Sequence, residues 1–415
     1  MEAESARRAK VDQLLDLAGT YKGLSRRQLA DALGRDQTKL TPASGNPKLD
    51  YLVRLAEILD WHVGDVAEAI WDEGETLADG PGEARDFAAL NDQARAAHRA
   101  GDFRGMIRSA RHMWMVARTP QERALSMLRE SGGWDGLGRY AQELEVLRRG
   151  LAEPAIEDDT RLLLTANLAN TYFTLGHLVE GRAVARDLVD RLEAQCPVAR
   201  APRAALAFSH YVLGNAARTL AGHEPSKVES HAREAIRSYK ASSQLYLSLA
   251  DEFGNSAWRG IANTCQGGII VCEVDLAART AASAVEDLIE GLGAVIDASD
   301  GLVGDRLESY GWWCVFGCET ALRHMDGPDQ GRAVAIFTNK GYEIADRLNN
   351  WAMRERLFTL EYVQRHRAAE AGDPVADWAI DQEEIKVIVG TMGRFPMFRS
   401  TGWKILQSAT VVDER

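Results

Sequence analysis

The sequence has no long apolar run and few cysteines for its length. Nowhere do roughly 18 uncharged apolar residues follow one another, as a membrane-spanning helix requires. The opening residues, MEAESARRAK, carry charges where a signal peptide has an apolar segment. The five cysteines form no CxxC motif and cannot all pair with one another, which suits a reducing compartment. We therefore expect a cytoplasmic protein that makes no membrane contact.

Motifs of enzymes and of cofactor sites are also missing. The nine histidines are scattered and form no HExxH, and no Walker lysine loop, GxSxG or GxGxxG occurs. Cys314 and Cys318 lie one helical turn apart, but a metal needs two more ligands, so buried thiols are the simpler interpretation. The sequence predicts no catalytic residue, no metal ligand and no cofactor, and an enzyme is not expected.

Charge is unevenly distributed along the chain. The 415 residues carry 49 Lys and Arg against 61 Asp and Glu, a formal charge of −12. This acidic balance argues against a chain that contacts nucleic acid along its whole length, but it is compatible with one local contact surface. Residues 1–60 hold ten basic and nine acidic residues, whereas 61–83 hold seven acids and no Lys or Arg. Glycines and Pro81 interrupt the last part of that acidic stretch. We therefore predict a small domain over 1–71, an acidic linker over 72–83 and a larger domain over 84–415.

The first 71 residues show the pattern of four short helices. Apolar residues recur at helical spacing from Val11, and Ser25 is a favoured N-cap for a second helix that ends at Gly34. A third short helix is predicted around Asp36 to Thr41, stopped by Pro42. A leucine-rich fourth helix follows. The predicted order is a helix, a tight turn and a second helix, followed by a leucine-rich helix that packs against them.

The segment SRRQLADALGRDQTKLTPASGNPKLDYLVRLAEILDW resembles the helix-turn-helix of Cro/repressor-type DNA-binding proteins. In that family the second helix of the motif enters the major groove, while flanking groups hold phosphates. The resemblance implies groove-facing side chains at Asp36, Gln37, Thr38 and Lys39, and phosphate contacts from Arg26, Arg27 and Arg35. Gln can bind adenine, Lys can donate to guanine, and Arg binds the backbone. A helical module kept for protein contacts is the alternative interpretation.

From residue 84 onward nearly every segment follows the pattern of paired amphipathic helices. The unit NLANTYFTLGHLVEGRAVARDLVDRL, residues 167–192, carries small residues, an aromatic and a turn glycine at tetratricopeptide consensus positions. The turn glycines Gly101, Gly138 and Gly176 lie 37 and 38 residues apart, close to the repeat length of about 34 residues. The β-branched runs GIIVCEV and EIKVIVG lack a partner strand, so we expect helices there. The sequence therefore predicts an all-α fold, a small helix-turn-helix domain followed by a tetratricopeptide-like α-solenoid.

Stacked helical pairs of this kind curve into a concave surface formed by the first helix of each pair. Amide side chains on that surface can bind the backbone of an extended peptide. Four asparagines lie in predicted first helices: Asn167, Asn170, Asn215 and Asn263. We predict that they contact a ligand, and the alternative for each is a simply solvated side chain.

The order of the parts resembles the peptide-sensing transcription regulators of bacterial quorum sensing, in which a helix-turn-helix is joined to a tetratricopeptide array. The resemblance implies three partners: double-stranded DNA, a peptide or protein ligand in the repeat groove, and a second copy of the chain in a homodimer. It predicts a DNA-binding regulator controlled through its array. The alternative is a protein-protein interaction scaffold whose helix-turn-helix-like module does not bind DNA.

Overall fold

A computed structural model describes residues 2–43, 46–59, 61, 63–71, 86–296, 304–371 and 378–412. The chain divides into two units, Met1–Ala84 and Arg85–Arg415, and the predicted linker over 72–83 lies outside the described residues. Within the described ranges there are 19 α-helices and one pair of two-residue parallel strands. The predicted all-α fold is confirmed. None of the described helices is both long and apolar enough to span a membrane.

The first unit contains four α-helices and one 3-10 turn around a single apolar core. The elements are α1 (Glu2–Lys22), α2 (Arg26–Leu33), the 3-10 turn Gln37–Lys39, α3 (Leu49–Leu59) and α4 (Val63–Trp71). Residues from every element or its flank meet in the core, with Val11, Leu55 and Ile70 fully buried. Helix α2 begins with a capping box, since the Ser25 hydroxyl accepts from the Gln28 amide and the Gln28 side chain accepts from the Ser25 amide.

The predicted third helix around Asp36 to Thr41 is shorter in the structure. Only the 3-10 turn Gln37–Lys39 forms, starting where the Asp36 carboxylate accepts the backbone N–H of Thr38 at 2.8 Å. Pro42 follows closely, and it has no N–H to donate and disfavours helical geometry at the residue before it. Leu40, 2% exposed, anchors the end of the turn in the core.

The second unit is a continuous array of paired helices. Its elements are α5 (Phe87–Arg99), α6 (Phe103–Val116), α7 (Pro120–Gly136), α8 (Tyr140–Ala152), α9 (Asp158–Thr174), α10 (Leu178–Gln195), α11 (Arg200–His223), α12 (Val228–Phe253), α13 (Ala257–Asp275), α14 (Ala281–Ile296), α15 (Gly304–His324), α16 (Gly327–Leu348), α17 (Trp351–Ala371), β1 (Ala379–Ile380), α18 (Gln382–Arg394), α19 (Arg399–Ser408) and β2 (Thr410–Val411). Short 3-10 turns, Pro225–Lys227 and Pro396–Phe398, precede α12 and α19. Both β-branched runs are helical, within α13 and α18.

The three predicted turn glycines each lie between the two helices of a pair. Gly101, Gly138 and Gly176 have φ values of 72°, 65° and 83°, the left-handed region that favours glycine. Close packing adds a second reason at two of them. A Cβ on Gly138 would lie 2.8 Å from the Trp351 Cβ, and one on Gly176 would lie 2.5 Å from the Met397 Cε.

These contacts show that the C-terminal segment packs back against earlier repeats. Arg394 Nε donates to the Leu137 carbonyl at 3.2 Å, and the rings of Tyr140 and Phe395 lie 5.4 Å apart. One apolar cluster joins Tyr140 to residues of α17, α18 and α19. The array therefore closes on itself between α8 and α18, which encloses the surface formed by its first helices.

Candidate functional site

The segment predicted to contact DNA forms a compact polar turn on the first unit. Gln37, Thr38 and Lys39 are exposed in the 3-10 turn, and Asp36 is exposed beside them. A 3-10 helix rises about 2 Å per residue, so the turn presents a short edge in place of a helix of several turns. The turn presents the exposed side chains of residues 36–39 to a partner.

The three predicted phosphate-binding arginines lie on both sides of the Gly34 turn. Arg26 and Arg27 are exposed in the first turn of α2. Arg35 is half-buried, and its guanidinium lies 5.7 Å from the centre of the Tyr51 ring. Arg26 and Arg27 are therefore accessible to a partner, whereas Arg35 packs partly against the ring of a core residue.

The second unit encloses a cavity of about 280 Å³. Its wall comes from the first helix of six successive pairs, α7, α9, α11, α13, α15 and α17, and the side chains of Tyr140 and Phe395 complete it. Aromatic rings account for much of the wall: Phe173, Phe208, Tyr211, Trp312 and Phe316. A concave space lined by aromatic rings together with charged and polar side chains is a candidate ligand site.

The structure separates the four predicted asparagines into two groups. Asn170 and Asn215 line the cavity. Asn215 is 4% exposed and accepts a hydrogen bond from the Tyr239 hydroxyl at 2.8 Å. Asn167 and Asn263 do not line it: the Asn167 amide donates to the Leu163 carbonyl of its own helix, and the Asn263 amide donates to the Ser309 hydroxyl.

Carboxylates outnumber cations on the cavity wall. Glu319 pairs with Arg218, and Glu355 lies 3.5 Å from the guanidinium of Arg356. The other three carboxylates, Asp135, Asp305 and Glu308, form no ion pair within the described part of the chain. One side of the cavity therefore carries an uncompensated negative charge.

Enclosure by protein shifts the proton affinity of these carboxylates. Burial, reinforced by the charge of Asp305, raises the pKa of Asp135 to about 6. Burial is also the main reason that the pKa of Glu308 rises to about 7, with Asp305 adding to the rise and hydrogen bonds from Trp312 and Asn350 opposing it. Water reaches Asp135 through the cavity, but the surrounding protein keeps bulk solvent away from its charge.

Arg218 is the buried cation of this wall. It is 6% exposed, its guanidinium lies 4.4 Å from the centre of the Phe316 ring, and it pairs with Glu319. Its Nε has no hydrogen-bond partner among the described residues. A buried donor without a partner carries a desolvation penalty, so the ion pair with Glu319 and the contact with the Phe316 ring are what hold this guanidinium in the wall.

Reasoning from the sequence missed the carboxylates and Arg218 entirely. Asp135 stands in the stretch GGWDG, which resembles an ordinary turn, and isolated acids on helices are usually solvated. One local signal was present: Glu308 and Trp312 are four residues apart, so they share a helix face, and the indole N–H donates to the carboxylate at 3.1 Å.

Comparison with solved structures shows a distant likeness to a known protein. No family model matches the chain, and no curated protein matches it. The crystal structure of Bacillus thuringiensis PlcR in complex with the peptide PapR7 and DNA is 15% identical and covers 69% of this chain and 95% of that chain, with a TM-score of 0.36. A likeness at this TM-score supports no inference about partners, so membership of a regulator family remains a prediction from the sequence.

Proposed function

We propose that the protein is a DNA-binding transcription regulator in which the helical array binds a peptide or protein ligand. The cavity walled by the first helices of six pairs is the observation that carries the ligand half of this proposal. The polar turn over residues 36–39, flanked by basic side chains, supports the DNA half. Pairing of two copies would place two such turns on one duplex, as a homodimer requires.

In the DNA half, the two kinds of contact have different roles. Gln37 and Lys39 are exposed and carry the groups that read base edges, whereas Arg26 and Arg27 supply sequence-independent attraction to phosphates. The Asp36 carboxylate accepts a hydrogen bond from the Thr38 backbone N–H. Because this bond partly neutralises its charge, Asp36 should repel a DNA phosphate less than a carboxylate without such a bond would.

Salt dependence of DNA binding tests this half. Anisotropy of a labelled duplex pool is measured with the full-length protein over a range of salt concentrations. Arg27→Ala should weaken binding to all sequences and lower the salt slope by about one contact. Arg233→Ala, which removes an equal charge from an exposed site on α12, should leave the slope unchanged. No DNA binding by the wild type at low salt would refute the DNA half.

Reciprocal linkage tests the ligand half. A peptide that changes DNA affinity must have its own affinity changed by DNA to the same degree. The Asn170 side chain faces the cavity and makes no hydrogen bond among the described residues, so Asn170→Ala should weaken a peptide by about 1 to 3 kcal/mol. Asn339→Ala, at an exposed position of the second helix α16, is the matched control. Equal peptide affinity in both variants would place the ligand elsewhere.

One observation favours a second candidate function. The element expected to enter the major groove is a three-residue turn, which is short for reading several base pairs. The second candidate is therefore an interaction scaffold whose first unit binds protein in place of DNA. If the protein is such a scaffold, it should bind short duplexes weakly and with the same affinity for every sequence.

A further inference from the structure

The cavity carries a charge pattern that none of its structural roles explains. Three carboxylates, Asp135, Asp305 and Glu308, line it without an ion pair in the described residues. Like charges enclosed together destabilise a folded protein unless a cation is bound among them. Folding alone gives no reason to place them on the same inner wall.

The groups around these carboxylates do not neutralise them. Glu308 accepts hydrogen bonds from the Trp312 indole at 3.1 Å and from the Asn350 amide at 2.9 Å, and both donors are neutral. The charge of His98 acts on Asp305, but burial lowers the pKa of His98 and so disfavours its charged form. No donor in the described part of the chain gives a hydrogen bond to the Asp135 carboxylate.

Two further observations define the class of cation. No group of three or more His, Cys, Asp or Glu side chains in the described chain is placed to hold a metal ion, which argues against a bare divalent ion. Aromatic rings also line the cavity, and Tyr140 and Trp312 lie near the carboxylates; aromatic faces attract organic cations. The cavity therefore suits an ammonium or guanidinium group on an organic body.

The cavity wall also carries a buried cation. Arg218 lines the same cavity, is 6% exposed and pairs with Glu319. A ligand that brings only positive charge offers no acceptor to this guanidinium. A peptide brings both an amine for the carboxylates and carbonyl oxygens for a guanidinium.

We propose that the array cavity binds a cationic peptide segment whose protonated amine or guanidinium lies against Asp135, Asp305 and Glu308. This inference rests on the proposed ligand-binding role of the array and adds the charge of the ligand. A small polyamine shares the ammonium chemistry but lacks the acceptor for Arg218. The experiment therefore distinguishes the two sources.

The experiment is affinity selection with the full-length protein. The probe is a random tetrapeptide pool, half with free and half with acetylated N-termini, and bound peptides are identified by mass spectrometry. Spermidine is titrated separately by calorimetry. The variants are Asp135→Asn, Glu308→Gln and their double, with Glu229→Gln as the control, since Glu229 is an exposed carboxylate on α12 outside the cavity.

The expected result is enrichment of peptides with a free amine, Lys or Arg over acidic peptides. Each cavity substitution should weaken the bound peptides about tenfold, as loss of one charged hydrogen bond does, and Glu229→Gln should not. Both substitutions are isosteric and remove a desolvated charge, so loss of folding is not expected. Thermal melts verify this, and each single variant tests the inference independently.

The possible outcomes separate this inference from the proposed function. Selection of peptides with no preference for positive charge, or with acidic ones preferred, overturns the inference and leaves a peptide-binding array intact. Binding of spermidine alone, lost in the double variant, supports the amine site and overturns the peptide ligand. If neither the peptides nor spermidine bind the wild type, the inference of a cationic ligand and the proposed ligand-binding role of the array are both overturned.

Discussion

Glu308→Gln should stabilise the protein at alkaline pH and leave its stability unchanged in acid. Glutamine keeps the side-chain oxygen that accepts from Trp312 and Asn350 but never acquires a charge. The Glu308 charge lies near those of Asp305, on the same helix, and of Asp135, and burial, together with the charge of Asp305, raises its pKa. The substitution therefore removes a penalty without removing a contact.

The magnitude follows from the proton affinity. A pKa of about 7 in the fold against an ordinary value of 4.5 sets an upper bound of roughly 3 kcal/mol on the cost of the charged form. Cavity water reaches Glu308 and screens part of this, so we expect about 1 to 2 kcal/mol. The folded state binds the proton more tightly than the unfolded chain, so the cost is absent below the unfolded pKa. It grows as pH rises and is complete above the folded pKa.

Urea unfolding followed by tryptophan fluorescence, at pH values from about 4 to about 8, measures this difference. The free energies of unfolding of Glu308→Gln and wild type should be nearly equal at about pH 4, diverge as pH rises between the ordinary value of 4.5 and the folded pKa of about 7, and keep a constant difference above it. Glu229→Gln, at an exposed carboxylate, should show a difference within about 0.5 kcal/mol at every pH. A variant that is less stable than wild type at alkaline pH would refute the assignment of an uncompensated charge.

Two further sets of substitutions and one labelling experiment test the packing of the array. Gly138→Ala should lower the free energy of unfolding in urea by about 1 to 3 kcal/mol, because the φ of Gly138 is positive and an indole lies beside it. Gly222→Ala, in open space within α11, is the control and should be neutral or stabilising. Equal effects of the two substitutions would contradict the close packing. Arg218→Met should lower the free energy of unfolding by about 1 to 3 kcal/mol because Glu319 is left unpaired. Adding Glu319→Gln to this variant should restore part of the lost stability. Strictly additive losses from the two substitutions would contradict an ion pair between Arg218 and Glu319. Cys196 is the exposed thiol and the other four cysteines are buried, so mass spectrometry should show one rapid alkylation of the native protein; rapid alkylation of a second thiol would contradict the buried assignment.

The helix pairs of the array could be predicted because their signal is local. A glycine at Gly101, Gly138 or Gly176 stands where the backbone turns between two helices, and apolar residues at helical spacing mark each helix. Such signals lie within one repeat and can be read from the sequence directly.

Closure of the array has no local signal. The contact of Arg394 with the Leu137 carbonyl joins residues that are 257 positions apart, and Phe395 looks in the sequence like any buried aromatic of a helix end. The same limit applies to the cavity. Asp135 and Asp305 are brought together only because the first helices of distant pairs face one inner space, and nothing in the sequence near either residue points to the other.

The turn predicted to read DNA was located correctly but was predicted to be too long. Apolar spacing and Pro42 define where the segment ends, whereas the extent of helix within it depends on how Asp36 caps Thr38 and how Leu40 is drawn into the core. Predictions of element type are therefore stronger here than predictions of element length.

Selection of bound sites from a pool of random duplexes, with the full-length protein, tests the central claim most directly. We expect one enriched sequence motif, and a Gln37→Ala/Lys39→Ala double variant should lose about 1 to 3 kcal/mol at each preferred base while keeping its salt-dependent binding to unrelated DNA. Recovery of no motif, or of the same motif with equal affinity by the double variant, would contradict the account of this protein as a regulator that reads DNA through residues 36–39.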